Sequence, residues 1–331
     1  MDQLVVIADP YMHEVDTLPW LEGDFTIGEV NSFEVKVPGN LGIKQDWFLM
    51  VDGTEYGGVV DGIDTDSLQD YITVSGRTWH GILEDTPIKP PSGQTHTIVS
   101  GDVNVIMGNL INQARLNDRL MASREPSGYT VTNYKMLSKT GERYFDLYTG
   151  FRRMLNEVGC KLRIIYDSKE RKAVVSAVPR DSYVEDGLDG EIVPIEIKIT
   201  RPYNHLICLG AGEGLQRLVC DVYADVRGNV STTQTITGIG YRGTLYENVN
   251  CDNMTDLRDY GIDNLTDMQS DLESCSLSGE TAEFYDIDDI VGAKSVDQGL
   301  EIVTSIAEKI ATFTDNRTIE YETKTELEVN S

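Results

Sequence analysis

Two acidic clusters are the first residues whose types and spacing could do chemistry: Asp61, Asp64 and Asp66 in one, Asp286, Asp288 and Asp289 in the other. Paired carboxylates serve as acid and base in glycoside hydrolysis, but that chemistry needs a fixed separation across a cleft, which spacing along the chain does not specify. Neither cluster has the twelve-residue calcium-loop pattern with a central Gly and a terminal Glu, so each reads as a solvated acidic turn. His13, His80, His96 and His205 lie far apart and none stands in an HExxH pattern, which predicts structural or surface histidines and no metal site. Gly210-Ala211-Gly212-Glu213-Gly214 lacks the spacing of a dinucleotide loop. The residues after it, LQRLVCDVYADV, have strand character where a phosphate site needs a helix N-terminus, so this stretch reads as a hairpin turn. There is no Walker lysine and no serine in a nucleophile elbow. Cysteines at 160, 208, 220, 251 and 275 are odd in number and form no CxxC pair, which predicts reduced, mostly buried thiols and fits synthesis in a cytoplasm. No catalytic, cofactor-binding or metal-ligating residue is assigned, no cofactor is expected, and the chain reads as non-enzymatic.

Charge and length narrow the partners. With 28 basic against 55 acidic residues the formal net charge is -27, which argues against a nucleic-acid or anionic-membrane surface as a specific partner. The start, MDQLVVIADPY, is too short in apolar residues for a signal peptide or a membrane span. At 331 residues the chain should divide into two or three domains.

The expected class is mainly β with an α+β module, arranged as two barrel-like β domains. Residues 1–85 read as the first: FEVKVPGN, WFLMVDGTEYGGVVDGI and DYITVSG are extended runs bounded by turn residues, and Asp52-Gly53 suits a two-residue hairpin turn. This unit is expected to close at about Asp85, where Trp79, Ile82 and Leu83 form one helical turn before Pro87, Pro90 and Pro91. Trp79, Trp20 and Trp47 read as core anchors. Residues 86–193 read as the linker and α+β module. Val103, Ile106, Met107, Leu110, Ile111 and Ala114 follow helical spacing behind the cap residue Asp102 towards Leu120. A second helix is read over 144–158 before Gly159, and strands over 161–166 and 173–178.

Residues 194–331 read as the second β domain with a helical insertion over about 253–272. There Asp256, Asp259, Asp263, Asp267 and Asp271 make a carboxylate stripe opposite Leu257, Ile262, Leu265, Met268 and Leu272. In GLEIVTSIAEKIATF, Ile302, Ile306, Ile310 and Phe313 suit a helix, while the β-branched content suits strands. A faint similarity between 46–76 and 288–324 favours strands.

Three stretches together resemble a family. SGRTWHGILEDTPIKPP (75–91) is similar to the junction between the first two domains of siphophage tail-hub proteins. NHLICLGAGEGLQR (204–217) resembles their strand, glycine turn and arginine, and YDIDDIV (285–291) with the closing TIEYE resembles their last barrel strands. The family's glycine before the aspartate is missing from YDIDDIV. The resemblance covers nearly the whole chain and implies the architecture of the contractile-tail baseplate hub, with two barrel-like domains per subunit and a homotrimer.

The implied function is mechanical. Three subunits with two similar domains each would match a hexameric distal tail or tail-tube protein above and a threefold central spike or fibre protein below. Such a hub would close the distal tube, bind the end of the tape-measure protein and open for DNA passage, its acidic surface letting DNA slide without specific binding. Its place would be the tip of the virion's tail, after synthesis in the bacterial host's cytoplasm. A tail-associated cell-wall-degrading enzyme and a receptor-binding adhesin are the alternatives.

Overall fold

The computed structural model describes residues 4–66, 68–138, 143–183, 195–199, 201–270, 273–278, 285–295 and 300–327. The chain forms two units: the first combines Met1–Pro194, Leu277–Glu301 and Ser305–Lys324, and the second combines Ile195–Ser276, Ile302–Thr304 and Thr325–Ser331.

Alternation of apolar and polar residues builds the first unit's sheet. Its opening strands are β1 (Val5–Ala8), β2 (Glu14–Leu18), β3 (Glu22–Ile27), β4 (Ser32–Pro38), β5 (Phe48–Val51), β6 (Gly57–Thr65) and β7 (Tyr71–Thr78). They lie in the order β3-β4-β7-β6-β5-β1-β2, each antiparallel to its neighbour. In β4, Phe33, Val35 and Val37 point inward while Ser32, Glu34 and Lys36 meet solvent. The β5–β6 connection is longer than the two-residue turn expected from Asp52-Gly53, because Val51 N–H reaches Tyr56 C=O at 2.8 Å. Tertiary pairing holds the longer loop: Gly53 N–H donates to Tyr166 C=O and Tyr166 N–H to Thr54 C=O. A bulge between Val60 and Gly62 leaves Asp61 outside the ladder. Helix α1 (Trp79–Glu84) follows β7, capped by the Thr78 side chain.

The module then runs β8 (Pro87–Ile88), β9 (Ile98–Asp102), α2 (Val103–Gln113), β10 (Leu120–Ala122), β11 (Thr130–Lys135), β12 (Phe145–Asp146), α3 (Leu147–Asn156), β13 (Cys160–Asp167), β14 (Lys172–Pro179) and β15 (Ser182–Tyr183). Asp102 caps α2 by accepting from Asn104 N–H, as its position predicts. The helix stops well before Leu120, because Arg115 takes a left-handed φ of 60° and Leu120 pairs as a strand with Ala173. Asp146 caps α3 through Thr149 N–H at 2.7 Å, and Gly159 has a φ of 71° just past its end. One continuous core takes residues from both sides of position 85, among them Met50, Trp79, Leu83, Met107, Phe151 and Ile164. Trp79, fully buried, stacks on Phe48 and on Tyr166; Trp20 and Trp47 are only half-buried.

The second unit holds β16 (Ile195–Ile199), β17 (His205–Leu209), β18 (Val219–Ala224), β19 (Val230–Ser231), β20 (Gly243–Glu247), α4 (Met254–Ser270) and β21 (Glu273–Ser278). Strands β19-β18-β17-β20 form a sheet, and α4 buries Leu257 and Leu265 among Leu206, Cys208, Val222 and Ala224. Gly261 is what lets α4 approach, since a Cβ there would overlap Cys208 Sγ. The expected stripe is exposed at Asp256, Asp259 and Asp263, while Asp271 and Leu272 lie outside the described residues. Gly210-Ala211-Gly212-Glu213-Gly214 is the β17–β18 hairpin connection, with Gly212 at a φ of 98°.

The chain returns to the first unit through β22 (Ile290–Ser295), β23 (Leu300–Phe313) and β24 (Ile319–Leu327). The ambiguous 302–313 stretch is strand: β23 pairs with β3, Ala311 opposite Phe25, and Phe313 packs on Phe25, Trp20 and Tyr56. Its apolar residues serve a strand buried on both faces, where Ile306, Ala307, Glu308 and Lys309 are consecutively buried. The protein is mainly β with a large mixed sheet, but among the described residues the strand order is an open path and no barrel closes. No helix among them is long and apolar enough to cross a membrane.

Candidate functional site

Two acids of the cluster expected to be a solvated turn are buried within the first unit, and the third, Asp286, is half-buried. Asp288 and Asp289 are 3% and 0% exposed. Lys161, at the start of β13 and 4% exposed, donates to both oxygens of Asp289 at 2.7 and 2.8 Å and to Asp181 and Asp286 at 3.1 Å. The Asp289 carboxylate also accepts the backbone N–H of Asp286 at 2.9 Å and of Asp181 at 3.0 Å. On α3, Arg152 makes a two-pronged contact with Asp288 at 2.7 and 3.0 Å. Lys309 on β23 lies 3.3 Å from both Glu55 and Asp286.

Burial and charge compete across this network. Burial alone would lower the Lys161 ammonium, but its bonds to Asp289 and the charge of Asp286 outweigh that and hold it well above its ordinary value. Burial would likewise raise Asp286, yet the charges of Lys309 and Lys161 keep its carboxyl below the usual range. Glu55 goes the other way, burial lifting it against the pull of Lys309. Asp288 sits at a φ of 71°, a conformation that glycine adopts without strain; here an aspartate adopts it with its carboxylate held by Arg152.

Beside the network lies a cavity of about 220 Å³ lined by Glu55, His80, Tyr148, Arg152, Asp286 and Tyr321 among others. His80 is buried and its pKa is pushed down to about 3, first by burial and then by the charge of Arg152. Neither His80 Nδ1 nor the Tyr148 hydroxyl has a protein hydrogen-bond partner.

The other sequence candidates resolve separately. Asp61, on the bulge, is bound by Arg77 through Nε and Nη2 at 2.8 Å, and that hydrogen bonding holds its carboxyl below the usual range. Asp64 and Asp66 are exposed, and so is His13, while His96 is half-buried. His205, in the second unit, joins Asp221 at 2.8 Å and the Tyr241 hydroxyl at 2.7 Å, a grouping that no local spacing announces because Tyr241 is remote in sequence. Both ring nitrogens are thereby occupied, which suits holding a loop. Cys160, Cys208, Cys220 and Cys251 are free and buried, and burial raises the thiol pKa of Cys160, Cys208 and Cys220. The Cys275 side chain lies outside the described set. Among the described residues no group of three His, Cys, Asp or Glu could hold a metal ion.

No family model matches the sequence, and no curated protein does. In structure the chain is similar to the tail protein from Neisseria meningitidis MC58, with 13% identity, 98% of this chain and 97% of that one covered, and a TM-score of 0.50. This chain has a tail-protein fold. The 43 kDa tail protein of prophage MuSo2 from Shewanella oneidensis aligns at 16% identity over 98% of both chains with a TM-score of 0.49. A prophage tail protein from Listeria monocytogenes EGD-e aligns at 13% identity over 99% of this chain and 95% of that one, with a TM-score of 0.48.

In this tail-protein fold the stretches that carried the resemblance do structural work. Arg77 ties β7 to Asp61 and to Asp85, Thr78 caps α1, Trp79 fills the core, and a Cβ on Gly81 would overlap the Asn31 carbonyl. Asn204 donates to Gly240 C=O at 2.8 Å and accepts from Arg242 N–H, while Arg217 donates to Gly210 C=O at 3.1 Å. YDIDDIV supplies the carboxylates of the buried network.

Proposed function

We propose that this protein is a structural component of a phage tail: a homotrimeric hub that closes the distal tube, adapts its sixfold symmetry to a threefold tip and opens for DNA passage. The observation that carries this reading is the likeness of fold, over nearly all of both chains, to the Neisseria meningitidis tail protein. The partners that follow are a hexameric distal tail or tail-tube protein, the tape-measure protein and a central spike or fibre protein. Residues 1–85 and 194–331 would be the paired β domains that give a trimer its six similar units, with 86–193 between them. A formal net charge of -27 suits a wall past which DNA slides without sticking. The protein is non-enzymatic on this reading, because the acids best placed for chemistry are held in ion pairs with Arg77, Arg152, Lys161 and Lys309.

Mass measurement of the purified protein should give three copies alone, and three copies per six of the tail-ring protein when the two are mixed. The same preparation should leave host peptidoglycan uncleared on a zymogram. A strictly monomeric protein that neither trimerises nor joins the ring would sink the hub reading; clearing abolished by one Asp or Glu substitution would establish the hydrolase alternative instead.

A further inference from the structure

We propose that an exposed basic face of the module, formed by Lys135, Arg143 and Arg153 together with Ile98 and Tyr144, docks on the acidic surface of a second copy of this chain. The inference rests on the homotrimeric reading above and names one side of its subunit contact. Charge is divided unevenly along the sequence: residues 86–183 hold 15 Lys and Arg against 9 Asp and Glu, whereas the rest of the chain holds 13 against 46. A basic surface within so acidic a protein finds its complement on another copy of the same chain.

The fold gathers part of that positive charge in one place. Strand β11 pairs with β9 so that Lys135 lies opposite Ile98, and Met136 N–H continues the pairing to Thr97 C=O at 2.9 Å. Helix α3 packs against the end of β11, since a Cβ on its Gly150 would overlap Phe145 and crowd Met136. One turn along the helix Arg153 donates to Ser138 C=O, while Arg143 lies 4.6 Å over the ring of Tyr144. The His96 imidazole is held below its ordinary pKa first by burial and then by the charges of Lys135 and Arg143, which puts these two cations in its neighbourhood. Arg153 and Glu157 both act on Tyr134, the residue before Lys135, so one acid shares this region with three cations. Arg143 and Arg153 bond to a phenol and a carbonyl, and their charge is not matched by a carboxylate as it is at Arg152, Lys161 and Lys309. Ile98 and Tyr144, 58% and 44% exposed, add apolar surface to the cations, a mixture that suits a protein partner.

Symmetry and charge select the occupant. In a threefold ring every contact is heterologous, so a patch on one copy meets a different patch on the next. Copies that each carry a formal charge of -27 repel unless the contact joins opposite signs, and this face supplies the positive side.

Sedimentation of the full chain tests the contact. The wild-type trimer should weaken about tenfold or more in dissociation constant between about 50 and about 500 mM salt, because salt screens an attraction between exposed charges. Lys135→Glu combined with Arg143→Glu should be monomeric at concentrations where wild type is trimeric, with an unchanged denaturant midpoint, since both side chains are exposed. Lys169→Glu combined with Arg171→Glu makes the same charge change on the exposed turn between β13 and β14 and should leave the trimer intact. A trimer that survives reversal at 135 and 143 overturns this contact and leaves the hub reading standing; if that variant instead loses its trimer but retention of wild type on short duplex DNA is lost with it, the face belongs to nucleic acid and the proposal falls. Equal dissociation in the 169 and 171 variant would trace the effect to total charge and also overturns the proposal. Where the reversed pair fails to fold, Lys135→Gln with Arg143→Gln decides in its place, an intact trimer again overturning the contact. A wild-type protein that is monomeric at every salt concentration overturns the hub reading itself.

Discussion

Lys161→Met should destabilise the protein by about 3–5 kcal/mol, read as a fall in denaturant midpoint with little change in slope. Methionine preserves the apolar stem, so the loss isolates the ammonium. Without it Asp289, 0% exposed, keeps a carboxylate whose remaining partners are two backbone N–H groups, and the charge is left uncompensated in the core. The neighbouring acids add to the cost, because Asp181 and Asp286 approach the same nitrogen. Sign and window follow from the raised Lys161 value: its contribution is complete below the ordinary 10.5 and is lost as pH climbs through the higher folded value. A loss under about 1 kcal/mol in Lys161→Met would mean that the ammonium is solvated, as surface pairs are.

Acid should weaken the fold through His80. The ring stays neutral down to about 3 in the folded state against an ordinary 6.5, so below pH 6.5 the unfolded chain binds a proton that the native chain refuses. Stability is therefore intact above 6.5 and declines by about 1.4 kcal/mol per pH unit towards 3, roughly 4–5 kcal/mol in all, the upper end applying to a dry ring. After burial, the charge of Arg152 opposes protonation, Asp286 favours it, and Lys309 opposes it least. The depressed carboxyls of Asp286, Asp61 and Asp102 stay ionised between pH 6.5 and 5, and the raised carboxyls of Glu55 and Asp289 are common to wild type and a His80 variant, so comparing the two in this window isolates the histidine. Urea titrations of wild type and His80→Gln across it should differ in slope by the His80 contribution, the other three histidines cancelling. Parallel slopes would show that His80 is protonated in the folded protein.

Local elements were legible because their determinants are close neighbours in the chain. Alternation in β4, the cap Asp102, the left-handed Gly159 and the Gly210–Gly214 turn each depend on residues within a few positions, where periodicity and backbone sterics carry the information. The extended reading of 302–313 needed a faint repeat to tip it, because what makes it a strand is β3, which lies at the far end of the sequence. The β5–β6 loop likewise outgrew its Asp-Gly signal through Tyr166, a partner from the module.

By itself the sequence determined the mainly β class, the helices of the module and the Leu257 and Leu265 face of α4, since these follow from spacing and residue type. Only the tertiary structure decided that Asp288 and Asp289 are buried and that Asp286 joins them in one ion network rather than a wet turn. Their partners Lys161 and Arg152 come from the distant module, and Lys161 lies among strand residues with nothing local to mark it. The same holds for the cavity of His80 and Tyr148, brought together by the packing of α1 on α3. Charge burial depends on which side chains meet in space and on the water they exclude, and neither is written in the order of neighbouring residues.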